Sequence, residues 1–282
     1  MNRTATSTMT RERTWALTAI SVVLFILFCW IFDDGLLAPP LWNAEHWISS
    51  PLLTYLLIAI IILCGWSQAR GIPESGLEFR LERIPATVGL INDPVGWRLL
   101  MGSIYYALLW LPMRFFLGRD WISHGAEKVV DPAWMNGGEA LRGFWQQAVV
   151  VPDQGRPPIA YAWFRDFLQY MLDHGWYSWF AKLVAWGELL VGIALLVGAL
   201  VGLSAFLGTF MNFNYMLAGS ASTNPVLFGL AVFLVLAWKV AGHWGLDRWL
   251  LPGLGGQWAR AESQVDAVAA RAEHGAVTST GR

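Results

Sequence analysis

Long apolar runs separated by short polar stretches dominate this chain. Two runs lie near the N-terminus, at about residues 15–32 and 51–66, and three follow at about residues 176–200, 203–219 and 225–242. An α-helix needs roughly 17 to 25 mostly apolar residues to cross a bilayer. The pattern therefore predicts five transmembrane helices, the last three joined by very short turns that make neighbouring helices antiparallel.

A further helix is predicted between the second and third of these runs. Helical character continues from Trp97 to about Lys128, which is longer than the roughly 20 residues that cross a bilayer. We expect this helix either to tilt strongly or to project beyond the membrane. The predicted fold class is an all-α integral membrane protein with about six transmembrane helices.

The region of residues 129–175 is polar and proline-containing, which predicts a large loop region and not a span. Within it, apolar residues recur at helical spacing between Ile159 and Met171. This spacing predicts a short amphipathic helix. Two placements remain open, one on the membrane surface and one as a lid over the helical bundle.

Composition supports a lipid environment. Hydrophobic residues make up 56% of the chain and charged residues only 14%, whereas soluble domains carry about 25% charged residues. Many of the 18 tryptophans lie near the ends of apolar runs, as interfacial aromatic belts do. The net charge of −1 gives no basic field for nucleic acid. The lipid bilayer is therefore the expected partner.

Arginine distribution predicts the orientation. Arginines are concentrated in the segments that a cytoplasmic N-terminus would place inside, and the opposite side holds only Arg142, Arg156 and Arg165. Because basic residues favour the cytoplasmic side, we expect both termini to be cytoplasmic and the 129–175 loop to lie outside. The expected location is the cell's cytoplasmic membrane.

No motif for a metal or nucleotide is present. Cys29 and Cys64 lie in apolar runs without a C-x-x-C pair, so neither a zinc site nor a thioredoxin-like motif is indicated. P-loop, G-x-S-x-G, H-E-x-x-H and haem-attachment patterns are absent from the sequence. We therefore expect no metal or nucleotide cofactor, while quinone binding leaves no reliable motif.

Ionisable residues within spans point to a site, because an unpaired charge in hydrocarbon costs several kcal/mol. The helical rise places Arg114 about 16 Å and Glu188 about 18 Å from the outer surface. We therefore expect a buried Arg114–Glu188 pair, with Asn212 and Asn214 near the same level. Either the pair only fixes the register of the bundle, or it holds an anionic substrate or quinone oxygen and exchanges protons.

Other polar side chains lie closer to the outer surface. Lys182 is only about 9 Å deep, so its ammonium group can reach the surface. His124, Glu127 and Lys128 lie one turn apart at the outer end of their helix. They form either an ordinary solvated helix end or the mouth of a cavity.

Several spaced motifs resemble the DoxX/DoxD family of four-helix membrane proteins. They are R-F-F-L-G-R-D-W-I-S-H-G-A-E-K-V-V-D-P-A-W at residues 114–134, then G-G-E-A-L-R-G-F, W-G-E-L-L-V-G-I-A-L-L-V-G and M-N-F-N-Y-M. The resemblance covers roughly residues 108–245. It implies a DoxX-like four-helix bundle, to which two N-terminal spans are added. The expected domains are 1–96 (tail, two spans and cytoplasmic loop), 97–245 (DoxX-like domain) and 246–282 (cytoplasmic tail).

The resemblance also implies redox chemistry. DoxD-like proteins are the large subunit of thiosulfate:quinone oxidoreductase, which oxidises thiosulfate to tetrathionate and reduces quinone, and other DoxX-like proteins are linked to oxidative stress and thiol homeostasis. Arg114, Lys128, Glu188 and Asn212 match the family's polar residues. No cysteine lies in the matching part of the chain, so a covalent thiol mechanism gains no support.

The expected function is that of a membrane oxidoreductase subunit passing electrons from thiosulfate, or another sulfur or thiol donor, to quinone. The expected catalytic residues are Arg114, Glu188 and Lys128. The expected quinone- or substrate-binding residues are His124, Asn212, Asn214 and Lys182. The alternative is a non-catalytic subunit that docks or stabilises a larger redox complex, with protein partners in either case. A transporter ranks third, because no inverted repeat is evident.

Overall fold

The computed structural model describes residues 5–32, 48, 50–81 and 93–255, and all of the following elements lie in those ranges. In chain order they are β1 (Ala5–Met9), α1 (Arg11–Phe32), α2 (Pro51–Arg70), β2 (Leu77–Leu81), α3 (Val95–Gly102), a 3-10 helix (Ile104–Trp110), α4 (Leu111–Val130), α5 (Pro132–Met135), α6 (Glu139–Ala148), α7 (Ala162–Asp173), α8 (Tyr177–Val197), α9 (Val201–Leu217), α10 (Asn224–Leu236) and α11 (Asp247–Gly253). The all-α fold class is confirmed, since only two short strands accompany these helices.

Among the described residues, three helices are long and apolar enough to cross a membrane, namely α1, α2 and α8. The pair of α3 and the helical segment 104–130 would make a fourth span if it crosses as one unit. α9 has 17 residues, at the lower limit of the length that a span needs, and α10 has 13, which is shorter. The chain is thus an all-α membrane protein with three to four candidate spans in its described part, and the number six stays a prediction.

The third predicted helix is not continuous, so the expectation of one long tilted or projecting helix from Trp97 to Lys128 was wrong. α3 ends at Gly102, and Ser103 has extended backbone angles (φ −104°, ψ 125°). The axes on the two sides of this break differ by 78°. The indole Nε1 of Trp110 donates to the carbonyl of Leu100 over 3.0 Å and ties the two sides together.

A four-helix bundle forms the centre of the molecule. α4 packs along α8, α9 packs along α10, and contacts of α8 with α9 and of α4 with α10 close the bundle. Glycines allow α4 and α8 to approach closely, since a Cβ atom on Gly192 would lie 2.6 Å from the backbone nitrogen of Ile122. Small residues at such contacts are typical of transmembrane helix packing.

The two N-terminal helices form a layer outside this bundle. α1 packs against α2, α4 and the 3-10 helix, and the ring of Phe25 meets that of Phe115 edge-on at 6.2 Å. β1 pairs antiparallel with β2, with Ala5 opposite Leu81 and Met9 opposite Leu77. This strand pair was not predicted. It joins the segment before α1 to the segment after α2.

Three helices occupy the region predicted as a loop, residues 129–175. The predicted amphipathic helix is present as α7, which buries Phe164, Leu168 and Met171. These side chains form a hydrophobic cluster with residues of α6 and α8. The inner face of α7 therefore rests on protein at the end of the bundle, while contact of its outer face with a membrane stays a prediction.

The C-terminal tail predicted from residue 246 begins with α11, and residues 256–282 lie outside the described part of the chain. The domain boundaries after residues 96 and 245 stay predictions. So does the sidedness of the termini with respect to the membrane.

Candidate functional site

A buried cluster of three polar side chains joins α4, α8 and α9. The ammonium Nζ of Lys128 lies 2.6 Å from Oε2 of Glu188, and the hydroxyl of Tyr215 donates to Oε1 of the same carboxylate over 2.6 Å. Glu188 is 1% exposed and the Lys128 side chain 17% exposed. Both carboxylate oxygens are thus bonded, one to a cation and one to a phenol. We call these three residues the Glu188 cluster.

Aromatic side chains from the next elements cover the Glu188 cluster. The ring of Trp134 in α5 lies 5.2 Å from the Lys128 ammonium, within the range of a cation–π interaction. Phe144 in α6 meets the ring of Tyr215 edge-on at 6.1 Å. Lys128 is the more exposed of the two charged groups. A salt bridge with this little exposure is screened less by solvent.

A glycine places α4 close enough to form the cluster. A Cβ atom on Gly125 would lie 2.7 Å from Cα of Leu189, so only glycine fits where α4 crosses the backbone beside Glu188. Lys128 follows three residues later, almost one helical turn further along α4, on the side that faces α8. The close helix crossing therefore brings the lysine onto the carboxylate.

Arg114 does not pair with Glu188, and this prediction was wrong. Its guanidinium group donates to four backbone carbonyls, those of Leu195 at 2.9 Å, Leu196 at 3.3 Å, Ala241 at 3.0 Å and Trp244 at 3.1 Å. The last carbonyls of a helix lack partners within the helix, and α8 ends at Val197. A buried cation at this end satisfies them and also interacts favourably with the helix dipole.

The error arose from the relative level of α4 and α8. The predicted depths placed the outer ends of both helices at one level, whereas Gly125, near the end of α4, lies beside Leu189 in the middle of α8. After the bend at Ser103, α4 begins at Leu111, so Arg114 lies in its first turn. Lys128 lies about 21 Å further along the same helix. Arg114 and the Glu188 cluster are thus at opposite ends of α4.

Asp247 caps the helix next to the Arg114 end. Its carboxylate accepts hydrogen bonds from the backbone nitrogens of Leu200 at 2.5 Å and Val201 at 2.9 Å, at the start of α9. Burial raises the pKa of Asp247, although these bonds oppose the rise. The pKa of the nearby His243 is lowered to about 4, first because burial disfavours the imidazolium ion and second because Arg248 is positive. At this end of the bundle, Arg114 and Asp247 therefore stabilise the ends of helices.

The other predicted site residues divide into two groups. The ring nitrogen Nδ1 of His124 lies 2.9 Å from the carbonyl of Asp120 and 3.5 Å from its carboxylate, and the side chain is 54% exposed. Asn214 donates to the carbonyl of Phe210, and Lys182 is exposed. The described bonds of His124 and Asn214 are made outside the Glu188 cluster. Asn212, by contrast, is fully buried and faces into the bundle.

Two polar residues in the bundle were missed in the sequence. Tyr215 lies three residues after Asn212 and thus on the same helix face, which was the available signal. Arg119 is buried between α1, α2 and α4, where its guanidinium group contacts Thr54 Oγ1 at 2.5 Å and Cys29 Sγ at 3.6 Å. Nothing in the apolar runs marked these partners of Arg119.

Chemically, the Glu188 cluster can bind an oxygen-bearing group and exchange a proton. The described residues hold no group of three His, Cys, Asp or Glu side chains that could bind a metal ion. The carboxylate, phenol and ammonium are all proton-exchanging groups.

Comparison with known protein families gives a match to the domain that holds the site. Residues 109–219, which include α4 to α9 and hence the Glu188 cluster, match the family model described as DoxX. No curated protein matches the chain. No solved structure matches it. Residues 109–219 therefore form a DoxX domain within a helical membrane protein.

Proposed function

We propose that this DoxX protein is a membrane oxidoreductase subunit that binds quinone at the Glu188 cluster and exchanges protons through Glu188. The observation that carries the proposal is a carboxylate, 1% exposed, with an ammonium and a phenol each 2.6 Å from one of its oxygens. Buried ionisable groups in membrane proteins are costly and are typical of functional sites. This one lies inside the DoxX domain.

The cluster has the groups that quinone reduction needs. Reduction of a quinone to a quinol takes up two electrons and two protons, and negative charge develops on the carbonyl oxygens as electrons arrive. The Lys128 ammonium is the positive group that would stabilise this charge. Glu188 would transfer a proton, and the Tyr215 hydroxyl would hold the carboxylate in place between transfers. The rings of Trp134 and Phe144, which contact Lys128 and Tyr215, would pack against the quinone ring.

The donor that we propose is thiosulfate, as in the DoxD-like members that the sequence resembles, or another sulfur or thiol compound. Two thiosulfate ions give one tetrathionate ion and two electrons, which balances the reduction of one quinone. The exposed side chains of His124 and Lys182, near the same end of the bundle, would attract an anionic donor. A protein partner would complete the electron path. The proposed role of Arg114 changes from catalysis to holding the end of α8.

Turnover in membranes tests this function. Glu188→Gln keeps the size of the side chain but removes the exchangeable carboxylate, so thiosulfate-dependent quinone reduction should fall by about 100-fold or more. Tyr215→Phe should reduce the rate less. Glu139→Gln is the matched control, because Glu139 is 60% exposed at the surface of α6. Wild-type turnover in Glu188→Gln membranes would refute the proposed site.

A non-catalytic subunit is the second candidate function, and one observation favours it. The three groups of the Glu188 cluster satisfy one another, which is also what a purely structural ion pair requires. Exposed aromatic side chains on α7, namely Trp163, Phe167 and Tyr170, would then form the surface for a partner. Stable recovery in a larger complex, with full turnover of that complex carrying Glu188→Gln, would favour this alternative.

A further inference from the structure

Three buried polar atoms near the Glu188 cluster have no hydrogen-bond partner among the described residues. They are Oδ1 and Nδ2 of Asn212 and Nε1 of Trp121. Asn212 is 0% exposed and Trp121 is 3% exposed. Buried polar side-chain atoms in proteins are almost always hydrogen-bonded to protein, to water or to a ligand. Three such atoms in one part of the bundle therefore indicate a bound polar group.

The helix geometry brings these atoms towards one another. A Cβ atom on Gly208 would lie 3.1 Å from Nε1 of Trp121, so the indole N–H reaches the surface of α9 at Gly208. Asn212 lies four residues after Gly208, on the same helix face and roughly 5–6 Å away. Side chains on a helix tilt towards its N-terminus, which points the amide of Asn212 back towards Gly208.

This place adjoins the Glu188 cluster. Tyr215 follows Asn212 by three residues on α9, and Lys128 follows Trp121 by seven residues on α4, about two helical turns. Polar side chains thus continue from the cluster for about 10 Å into the bundle. Gly208 on α9 leaves the space that the indole ring of Trp121 occupies.

We propose that Asn212 and Trp121 together bind one oxygen atom, which belongs either to an internal water molecule or to a carbonyl group of a quinone. The indole N–H and the amide N–H donate to this oxygen. If the oxygen is that of water, it also donates to Oδ1 of Asn212, so all three atoms gain partners. Only the quinone source rests on the proposed function of the Glu188 cluster.

The indole N–H of Trp121 is the direct reporter. In a nitrogen-15 NMR spectrum of the full-length chain in detergent micelles, the Trp121 signal is the one missing from Trp121→Phe. We expect a proton chemical shift typical of a hydrogen-bonded indole, and we expect it to move towards the value of a free indole in Asn212→Leu. Asn214→Leu is the matched control, since Asn214 already donates to Phe210 within its own helix.

Thermal unfolding gives a second readout. If the polar atoms bind an oxygen, Asn212→Leu removes hydrogen bonds and lowers the midpoint temperature of unfolding relative to Asn214→Leu. If they bind nothing, leucine relieves a buried unsatisfied amide and raises the midpoint. A free Trp121 N–H, both without and with a short-chain benzoquinone, overturns the proposal whatever the thermal result.

Titration with the same benzoquinone separates the two sources. If the oxygen belongs to a quinone, the Trp121 signal shifts only when quinone is added, and Asn212→Leu weakens quinone binding by about threefold to tenfold. If it belongs to water, the N–H is hydrogen-bonded without quinone. Neither result depends on turnover, so failure of the thiosulfate assay leaves this inference standing.

Discussion

The coupling between Lys128 and Glu188 can be measured by a double-mutant cycle. The perturbations are Lys128→Met, Glu188→Gln and the combination of both, each followed by the free energy of unfolding in mixed detergent micelles. The cycle isolates the pairwise free energy, because effects of each substitution on its other neighbours cancel. It also separates a real ion pair from two side chains that are merely close.

The expected size of this coupling free energy follows from the distance between the two charges. Opposite charges 2.6 Å apart attract by roughly 6 kcal/mol at an effective dielectric constant of about 20, before the cost of burial is subtracted. Removing one partner of a buried pair typically costs about 3–5 kcal/mol, because the other charge is left unpaired. The hydrogen bond from Tyr215 still supports the carboxylate and reduces this cost. We therefore expect a coupling free energy of about 2–3 kcal/mol.

Two control cycles define the result. The Glu139–Arg142 pair, 3.2 Å apart and exposed by 60% and 43%, should couple by only about 0–0.5 kcal/mol. A cycle between Arg114 and Glu188 should give a coupling near zero, since Arg114 binds backbone carbonyls at the other end of α4. A Lys128–Glu188 coupling no larger than that of the exposed pair would refute the buried ion pair.

Two further predictions concern packing and pH. Gly125→Ala should destabilise the chain by about 1–3 kcal/mol, because its Cβ would press on the backbone of Leu189. Gly143→Ala, with open space around the new Cβ, should stabilise the chain by roughly 0.5–1 kcal/mol. Equal shifts of the two variants' midpoint temperatures of unfolding would contradict this prediction. The pKa of His243 is about 4 in the folded chain and 6.5 ordinarily, so the unfolded chain binds the proton first as pH falls. Its contribution to stability should be complete above pH 6.5 and decline between pH 6.5 and 4, by on the order of 3 kcal/mol. His243→Gln should remove this part of the pH dependence. An unchanged dependence of the free energy of unfolding on pH in this variant would contradict the prediction.

Apolar runs and helical spacing predicted much of the fold. The apolar runs around α1, α2 and α8 were long enough to identify these helices as candidate spans, because a span is recognised by its composition over about 20 residues. The spacing from Ile159 to Met171 predicted α7 within a polar region. The bend at Ser103 was not predicted, although a glycine followed by a serine is a recognised site of helix kinks.

The partners of buried charges were harder to predict. Arg114 binds backbone carbonyls, which every residue has, so no side chain in the sequence marks its partners. The sequence left open whether Lys128 belongs to a solvated helix end or to the mouth of a cavity, and the structure places it against Glu188 and the ring of Trp134. Tyr215 shares a helix face with Asn212, but this spacing does not show that its hydroxyl binds Glu188. The missing information was in each case the packing of distant segments.

The central claim is that Glu188 takes part in proton exchange when a quinone bound to the chain is reduced. Electrochemically induced infrared difference spectroscopy of the quinone-loaded protein in membranes measures this directly, because protonation of a buried carboxylate changes its carbonyl stretching band. We expect such a band in the wild type and in Glu139→Gln, and its loss in Glu188→Gln. The same band in Glu188→Gln, or no carboxylic band in the wild type, would contradict the account.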